Sequence, residues 1–592
     1  MRTRLLKKSL RRSSVAWGSS ALRRVARHSW VGALVVASGL HAQESARNLD
    51  CDGKIVSDIV IRTQGPSFGG IFARSGIMSA LVSGVHVTTS PDVVRRFLLL
   101  ERGKPCTATL RSDSERILRG QPFLAGASVT TLDDGNGGVR VEVVTIDEIS
   151  LVASGALKPE SPYVSALRLG SSNVEGLGVY AAGEWRDGEI YRDAWRGSVV
   201  DYQLLGRPIQ LAIDGERRRL GGGWSSELRH PFFTDVQRIA WRAAIGSSRD
   251  FFPFARPGTS NPSIPLSRRY GDIGMILRVG EPGRLSLFGA SISREESTPS
   301  TGIVVVTDSG LVPDLGTMLP SRYSSRRAAR LNVLWGVRNV RFKRVEGFDA
   351  LTGEQDVRTG FQLGTLFGRS LSVLGTHDDD ILVSTDIYAG VGTARSFGAI
   401  QILGEGRQSY DANRWDDILT TGRAAWYFKL HPRHTTIFGG EWSGGWRQRA
   451  PFQLTLGEPR GGMRGYSRAE LPGGQRAIGR LEQRWVLGNV RGNADAGAAL
   501  LMEAGKMWKG DVPFGATTPV KYAVGASILA ALPPGSQRLW RLDLMMPLDR
   551  NSGARLELRL RTEDRTRIFW REPRDVERSR ERSLPQRIFQ WP

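Results

Sequence analysis

Between residues 162 and 570 apolar and polar residues alternate in short segments punctuated by Gly, Pro, Asp and Asn, with almost no helical period. Trp426, Phe428 and Leu430 alternate with Ala425, Tyr427 and Lys429, and Ile381, Val383 and Ile387 alternate with Ser384, Asp386 and Tyr388. Leu542, Leu544 and Met546 alternate with Arg541 and Asp543, and Leu556, Leu558 and Leu560 with Arg555, Glu557, Arg559 and Arg561. A period of two sends successive side chains to opposite faces of a strand, so one face suits lipid and the other suits water. A soluble two-sheet sandwich alternates in the same way. The choice falls on a barrel because Arg and Glu recur on the polar face of segment after segment, with Trp and Tyr near the segment ends. In lipid every backbone N–H and C=O needs a partner, so a sheet spans only by closing on itself. The 409 residues from 162 to 570 predict a transmembrane antiparallel β-barrel of about 16 strands, at about ten residues per strand plus turns.

The preceding stretch has a different rhythm. Ile55 to Arg62 reads as a strand, and Pro91 to Glu101 as a helix capped by Ser90 and stopped by Gly103. A second helix is predicted from Leu110 to Leu118, with Leu110, Ile117 and Leu118 inward, followed by strands Ala127–Leu132 and Val139–Thr145 around the turn 133–138. The result is a β-α-α-β-β unit over residues 51–149, joined by a linker near Ser154–Pro162 to a mostly β chain. An insert at 66–87 reads as a Gly-rich surface loop.

Charge and cysteine content refine this picture. The formal charge is +23, but residues 1–42 carry nine positive side chains and no acid, which leaves +14 on the remainder. A basic stretch followed by the apolar run Trp30–Leu40 and by Ala42 reads as a signal peptide over 1–42, a run too short to span a bilayer as a helix. An exported chain with excess Arg suits anionic lipid, so outer-membrane lipid is an expected partner. Nucleic acid is not, since no zinc-ligand spacing or compact basic helix with stacking aromatics is present. Cys51 and Cys106 either pair, which export permits, or remain two thiols.

The N-terminal segments GKPC, SERILRGQPFLAGASV and VRVEVVTID resemble a POTRA domain, a family of periplasmic peptide-handling modules. With GGMRGYSRAELPGGQRAIGRLEQRW at 461–485, ALLMEAGKMW at 499–508 and RLWRLDLMMPLD at 538–549, the chain resembles the BamA/TamA superfamily of outer-membrane insertases and translocases. The resemblance implies an outer-membrane barrel with a POTRA-like domain in the periplasm. It further implies a loop motif, Arg464, Gly465 and Tyr466, that folds back into the lumen against acids of two strands. By parity Glu482 and Glu503 face the lumen, so Arg464 is expected to meet Glu482, Glu503 or both. It also implies a lateral gate where the first strand, about Val164–Ser172, meets the last, about Ala554–Arg561. Gly170, Gly176 and Gly178 would loosen that seam opposite Leu556, Leu558 and Leu560. Beyond Phe569 and Trp570 lies a charged tail, 571–592, whose Ile588, Phe589 and Trp591 either stay outside or return to the barrel.

No catalytic motif stands out. His431 and His434 flank Pro432, which breaks a helix, and no third metal ligand is evident, so a turn is expected there. No G-x-S-x-G, P-loop or G-x-G-x-x-G occurs, and a barrel phospholipase would have to draw its base from His230 or His377. The expected function is therefore non-enzymatic and without cofactor or metal. It is insertion or translocation of unfolded client polypeptides, or of other envelope components, with periplasmic accessory proteins as further partners. A dedicated two-partner-type secretion channel and a static structural or adhesive barrel are the alternatives.

Overall fold

The computed structural model describes residues 50–66, 87–157, 164–186, 194–258, 261–307, 310–458, 461–466, 471–549, 556–563, 572–580 and 582. The signal segment 1–42, nearly all of the 66–87 insert, and Phe569, Trp570, Ile588, Phe589 and Trp591 lie outside them.

The first unit holds β1 (Val56–Gln64), α1 (Pro91–Arg95), α2 (Ala108–Arg119), β2 (Leu124–Asp133) and β3 (Val139–Asp147). The sheet order is β1-β3-β2, with β1 parallel and β2 antiparallel to β3. Alternation explains the sheet: Val139, Val141 and Val143 are fully buried while Arg140 is exposed. Helix α1 is shorter than the periodicity suggests, ending at Arg95 and not at Glu101. Past that point the amides of Phe97 and Leu98 tighten onto carbonyls three residues back, and the Leu99 amide donates to Ser114 Oγ at 2.9 Å. Cys51 and Cys106 form a disulfide with Cα atoms 5.5 Å apart, tying the lead-in of β1 to the start of α2.

The second unit is a closed antiparallel sheet. Its strands are β4 (Leu151–Leu157), β5 (Val164–Ser171), β6 (Val179–Arg186), β7 (Ala194–Asp201), β8 (Gln210–Arg218), β9 (Gly221–His230), β10 (Ile239–Pro253), β11 (Pro262–Glu281), β12 (Arg284–Pro299), a short hairpin β13 (Val304–Thr307) and β14 (Gly310–Pro313), β15 (Arg326–Glu346), β16 (Glu354–Ser370), β17 (Asp380–Gly392), β18 (Ser396–Ser409), β19 (Arg414–His431) and β20 (His434–Trp446). After a two-stranded hairpin of β21 (Leu454–Thr455) and β22 (Pro472–Gly473) come β23 (Gln475–Val490), β24 (Ala494–Trp508), β25 (Lys521–Ala531), β26 (Leu539–Pro547) and β27 (Glu557–Glu563). The β13–β14 hairpin extends the rim and β21–β22 is a separate sheet, so among the described residues twenty strands close the barrel and not sixteen. The length predicts too few strands because many connections are tight: β8 and β9, β11 and β12, and β19 and β20 are each joined by two residues. In addition β4 reads as a linker, since the small residues of Leu151–Leu157 hide their alternation.

The two faces differ as a membrane barrel requires. Outward, Leu500 and Ile528 are 57% and 67% exposed, with Met502, Leu542, Leu544 and Met546 beside them. Inward, Arg330, Arg338, Arg476, Arg484 and Arg541 are fully buried. Buried cations persist only with partners, and several of these have carboxylates: Arg330 pairs with Asp380 at 2.7 Å and Arg476 with Asp575 at 2.7 Å.

Strand β3 runs almost directly into β4, so the first unit docks at the rim where the barrel begins. Arg119 pairs with Asp356 at 2.9 Å, Ser536 donates to Glu148 at 2.6 Å, and Arg116 donates to the Phe233 carbonyl at 2.6 Å. The Asp147 carboxylate accepts from the Thr89 amide and hydroxyl at 2.7 and 2.8 Å, Asn173 Nδ2 donates to Thr89 Oγ1, and the Gly178 amide donates to Asn173 Oδ1. Burial pushes the Asp147 carboxyl up from 3.8 to about 6, against the opposing pull of the Thr89 hydrogen bonds.

Candidate functional site

The wall closes between β27 and β4 through two residue pairs only, Arg559↔Ala156 and Leu560↔Gly155, whereas β15 and β16 share seventeen. Backbone hydrogen bonds are what hold strands together in lipid, so this is the thinnest joint in the wall. One side-chain bond adds to it, from Thr562 Oγ1 to the Ala153 carbonyl at 3.0 Å. The sequence placed the joint one strand late: Val164–Ser171 is the second strand and lies between β4 and β6.

The glycines assigned to the seam are elsewhere. Gly170 pairs with Val152 and Ala182, and a Cβ there would meet the Ala181 carbonyl oxygen at 2.2 Å, so it permits close strand approach inside the wall. Gly176 and Gly178 both have φ of +72° in the turn after β5, with the Gly176 carbonyl accepting from Ser90 N. They dock the first unit; a Cβ on Gly176 would sit 2.4 Å from the Thr88 carbonyl oxygen. Leu558 and Leu560 lie on β27 and are exposed outward, opposite Leu544 and Leu542, while Leu556 precedes the strand and is exposed.

After β20 the chain folds into the bore. Phe452, Leu454, Leu456, Met463 and Tyr466 form a buried cluster with Ile478, Leu501, Met507, Ala523 and Met545 of the wall. This apolar packing presents the loop motif to a group of acids. Arg464 donates from Nε to Glu503 Oε1 at 2.7 Å and from its backbone amide to Glu503 Oε2 at 2.8 Å, and its Nη1 reaches Asp543 Oδ2 at 3.1 Å. The Gly465 amide donates to Glu557 Oε2 at 2.8 Å, with φ of +83°, and Tyr466 Oη donates to the Tyr522 carbonyl at 3.0 Å. Arg480 lies 3.4 Å from Glu503 and donates to the carbonyls of Gly461 and Gly462.

Of the two expected acids, Glu503 meets Arg464 and Glu482 does not. Glu482 is bonded to Arg484 and, at 3.1 Å, to Arg541 of β26, so it braces a layer beside the loop tip. Parity put Glu482 and Glu503 in the lumen, where they are 3% and 1% exposed. It did not single out Asp543 or Glu557. Both alternate with apolar residues on their strands, which marks them as inward, but only the loop's depth shows that they meet it. Through Glu503, Asp543 and Glu557 the loop grips β24, β26 and β27, the wall leading to the thin joint. His431 and His434 pair across the β19–β20 turn with ring centroids 5.0 Å apart.

No family model and no curated protein matches the chain. Solved structures do. The chain is similar to BamA and CdiB. A BamA from Haemophilus ducreyi lacking POTRA domains 1-3 is 12% identical, with a TM-score of 0.36, over 86% of this chain and 83% of that one. CdiB from Escherichia coli is 10% identical, with a TM-score of 0.39, over 87% and 91%. CdiB from Acinetobacter baumannii is 9% identical, with a TM-score of 0.38, over 86% and 73%.

Proposed function

We propose that this chain is an outer-membrane barrel that inserts or translocates polypeptides, with a POTRA-like periplasmic domain for docking and a lateral seam for release. The observation that carries this reading is the two-pair joint between β27 and β4, set beside a loop whose Gly465 is bonded to Glu557 of β27. A joint with few ladder bonds separates at lower cost than any of its neighbours, and its free edges then offer unpaired N–H and C=O groups to a client strand. The loop holds the strands on one side of the joint in place while the other side moves.

Docking would use β2, whose ladder partner among the described residues is β3 alone. Main-chain hydrogen bonds to an extended client give affinity that tolerates many sequences. Nothing in this route calls for a cofactor or for catalysis; the driving energy is that of client folding and burial in lipid. Periplasmic accessory proteins would deliver the client.

A channel for one dedicated secreted partner is the second reading, favoured by a bore lined with charge. Depleting the protein and taking an inventory of outer-membrane and secreted proteins separates the readings. Loss of several barrel proteins supports insertion, and loss of one secreted protein supports the dedicated channel. An unchanged inventory would leave only a static barrel.

A further inference from the structure

Beyond β27, residues 572–580 and 582 lie in the bore. β27 ends at the rim where β4 begins, yet Glu572 lies midway along β19: Thr421 donates to its Oε1 at 3.2 Å, and Arg423 stands 3.9 Å away. From there a short helix α3 (Arg574–Ser579) crosses the lumen. Asp575 is held by Arg476 of β23 at 2.7 and 3.1 Å and by the Thr455 amide at 3.2 Å. Val576 is fully buried in the apolar cluster of the folded-in loop. Arg268 of β11 donates to the Arg578 carbonyl, Arg580 bonds Glu572 and, at 3.1 Å, Glu405 of β18, and the Arg582 amide donates to Glu295 of β12 at 2.9 Å. From β11 to β23 is eight steps around a wall of twenty, so the anchors lie on nearly opposite sides and the segment spans the opening between them.

We propose that residues 572–580, with Arg582, are a displaceable plug, a resident ligand that keeps the bore closed until it leaves. The binding set suits a reversible occupant. Most of its contacts are ionic or hydrogen-bonded, with Pro573 and Val576 the buried apolar side chains among its described residues, and a helix of six residues has no stability apart from the wall that holds it. When the plug departs, water enters and rehydrates Arg476, Glu405 and Glu295, so no charge is left dry. The surface then exposed takes an extended segment carrying carboxylates at the spacing of Glu572 and Asp575, so an acidic stretch of a passing polypeptide would compete with the plug.

Conductance of the full-length protein in planar lipid bilayers, with no client present, tests the plug independently of the seam reading. Thr421 meets the tip of the Glu572 side chain, so Thr421→Cys with Glu572→Cys, bridged by a short thiol-reactive linker that carries a disulfide, allows the plug to be tethered to β19. The bridged, oxidised pair is expected to stay closed, and reduction to raise the open fraction about tenfold or more, since the tether and the Glu572 ion pairs are then both absent. Reductant added to the wild type controls for the Cys51–Cys106 bond. Asp575→Asn in the otherwise native chain should raise the open fraction in the same direction. An oxidised tethered protein that conducts as freely as its reduced form would overturn the proposal, and the seam would be untouched by that result.

Discussion

At the scale of residues, the decisive interactions are a few buried charges whose partners come from distant parts of the chain. Arg464→Ala would leave Glu503 without its nearest cation and Asp543 with Arg541 as its partner. Loss of one partner from a buried pair costs about 3–5 kcal/mol, and the lower end applies here because Arg480 remains 3.4 Å from Glu503. The denaturation midpoint should fall accordingly, with Arg464→Lys intermediate because an ammonium cannot span both acids as the guanidinium does. An unchanged midpoint for Arg464→Ala would contradict the role given to the loop. Asp147 makes a pH prediction. Its folded carboxyl titrates near 6 and its unfolded one near 3.8, so the native state holds the extra proton between those values and stability falls as pH rises through that window. The loss is at most about 3 kcal/mol, at 1.36 kcal/mol per unit. Hydrogen-exchange protection of the β3 amides, corrected for intrinsic rates, should therefore be greater at pH 5 than at pH 7, and Asp147→Asn should flatten the difference. Parity along β23 and β24 made Glu482 and Glu503 readable as lumen acids. Which acid meets Arg464 was not readable, because the answer depends on how deep the loop descends.

At the scale of elements, the alternation that marked β26 and β27 worked because Leu542, Leu544, Leu558 and Leu560 face lipid while Asp543, Glu557 and Arg559 do not. It failed at β4, where Ala153, Ser154 and Gly155 are too alike in size and polarity to show a face, and the seam was consequently assigned to β5. The turn after β5 differs from expectation for a related reason: glycines at 176 and 178 read as looseness in a sequence, but their φ of +72° serves a tight dock. Gly176→Val would drive a side chain into the Thr88 carbonyl and force the turn from φ of +72°. The Thr89–Asp147–Asn173 network should then open, which exchange at the Thr89 amide would report, and protection equal to wild type would refute the docking role. Cys51→Ser removes a cross-link closing 55 residues, and the chain-entropy model gives a loss of about 4 kcal/mol, read as unfolding of the first unit at lower denaturant.

At the scale of the molecule, the described residues form a twenty-strand wall with apolar exterior and ionic bore, interrupted by one short joint, braced by an inward loop and occupied by residues 572–580 and 582. The barrel was visible in the sequence as alternation joined to an absence of helical period. The filled bore was not, because Glu572, Asp575 and Arg580 sit in a stretch whose charge reads as solvated until its partners on β11, β18, β19 and β23 are seen. The proposed function requires the joint between β27 and β4 to open. Gly155 and Leu560 face each other across it, so Gly155→Cys with Leu560→Cys places a cross-link in the joint. With the cystine formed, cells should lose the same outer-membrane or secreted proteins that depletion removes, and reduction should restore them while the wild type is unaffected by the reductant. A complete inventory in cells whose joint is fully cross-linked would contradict the account.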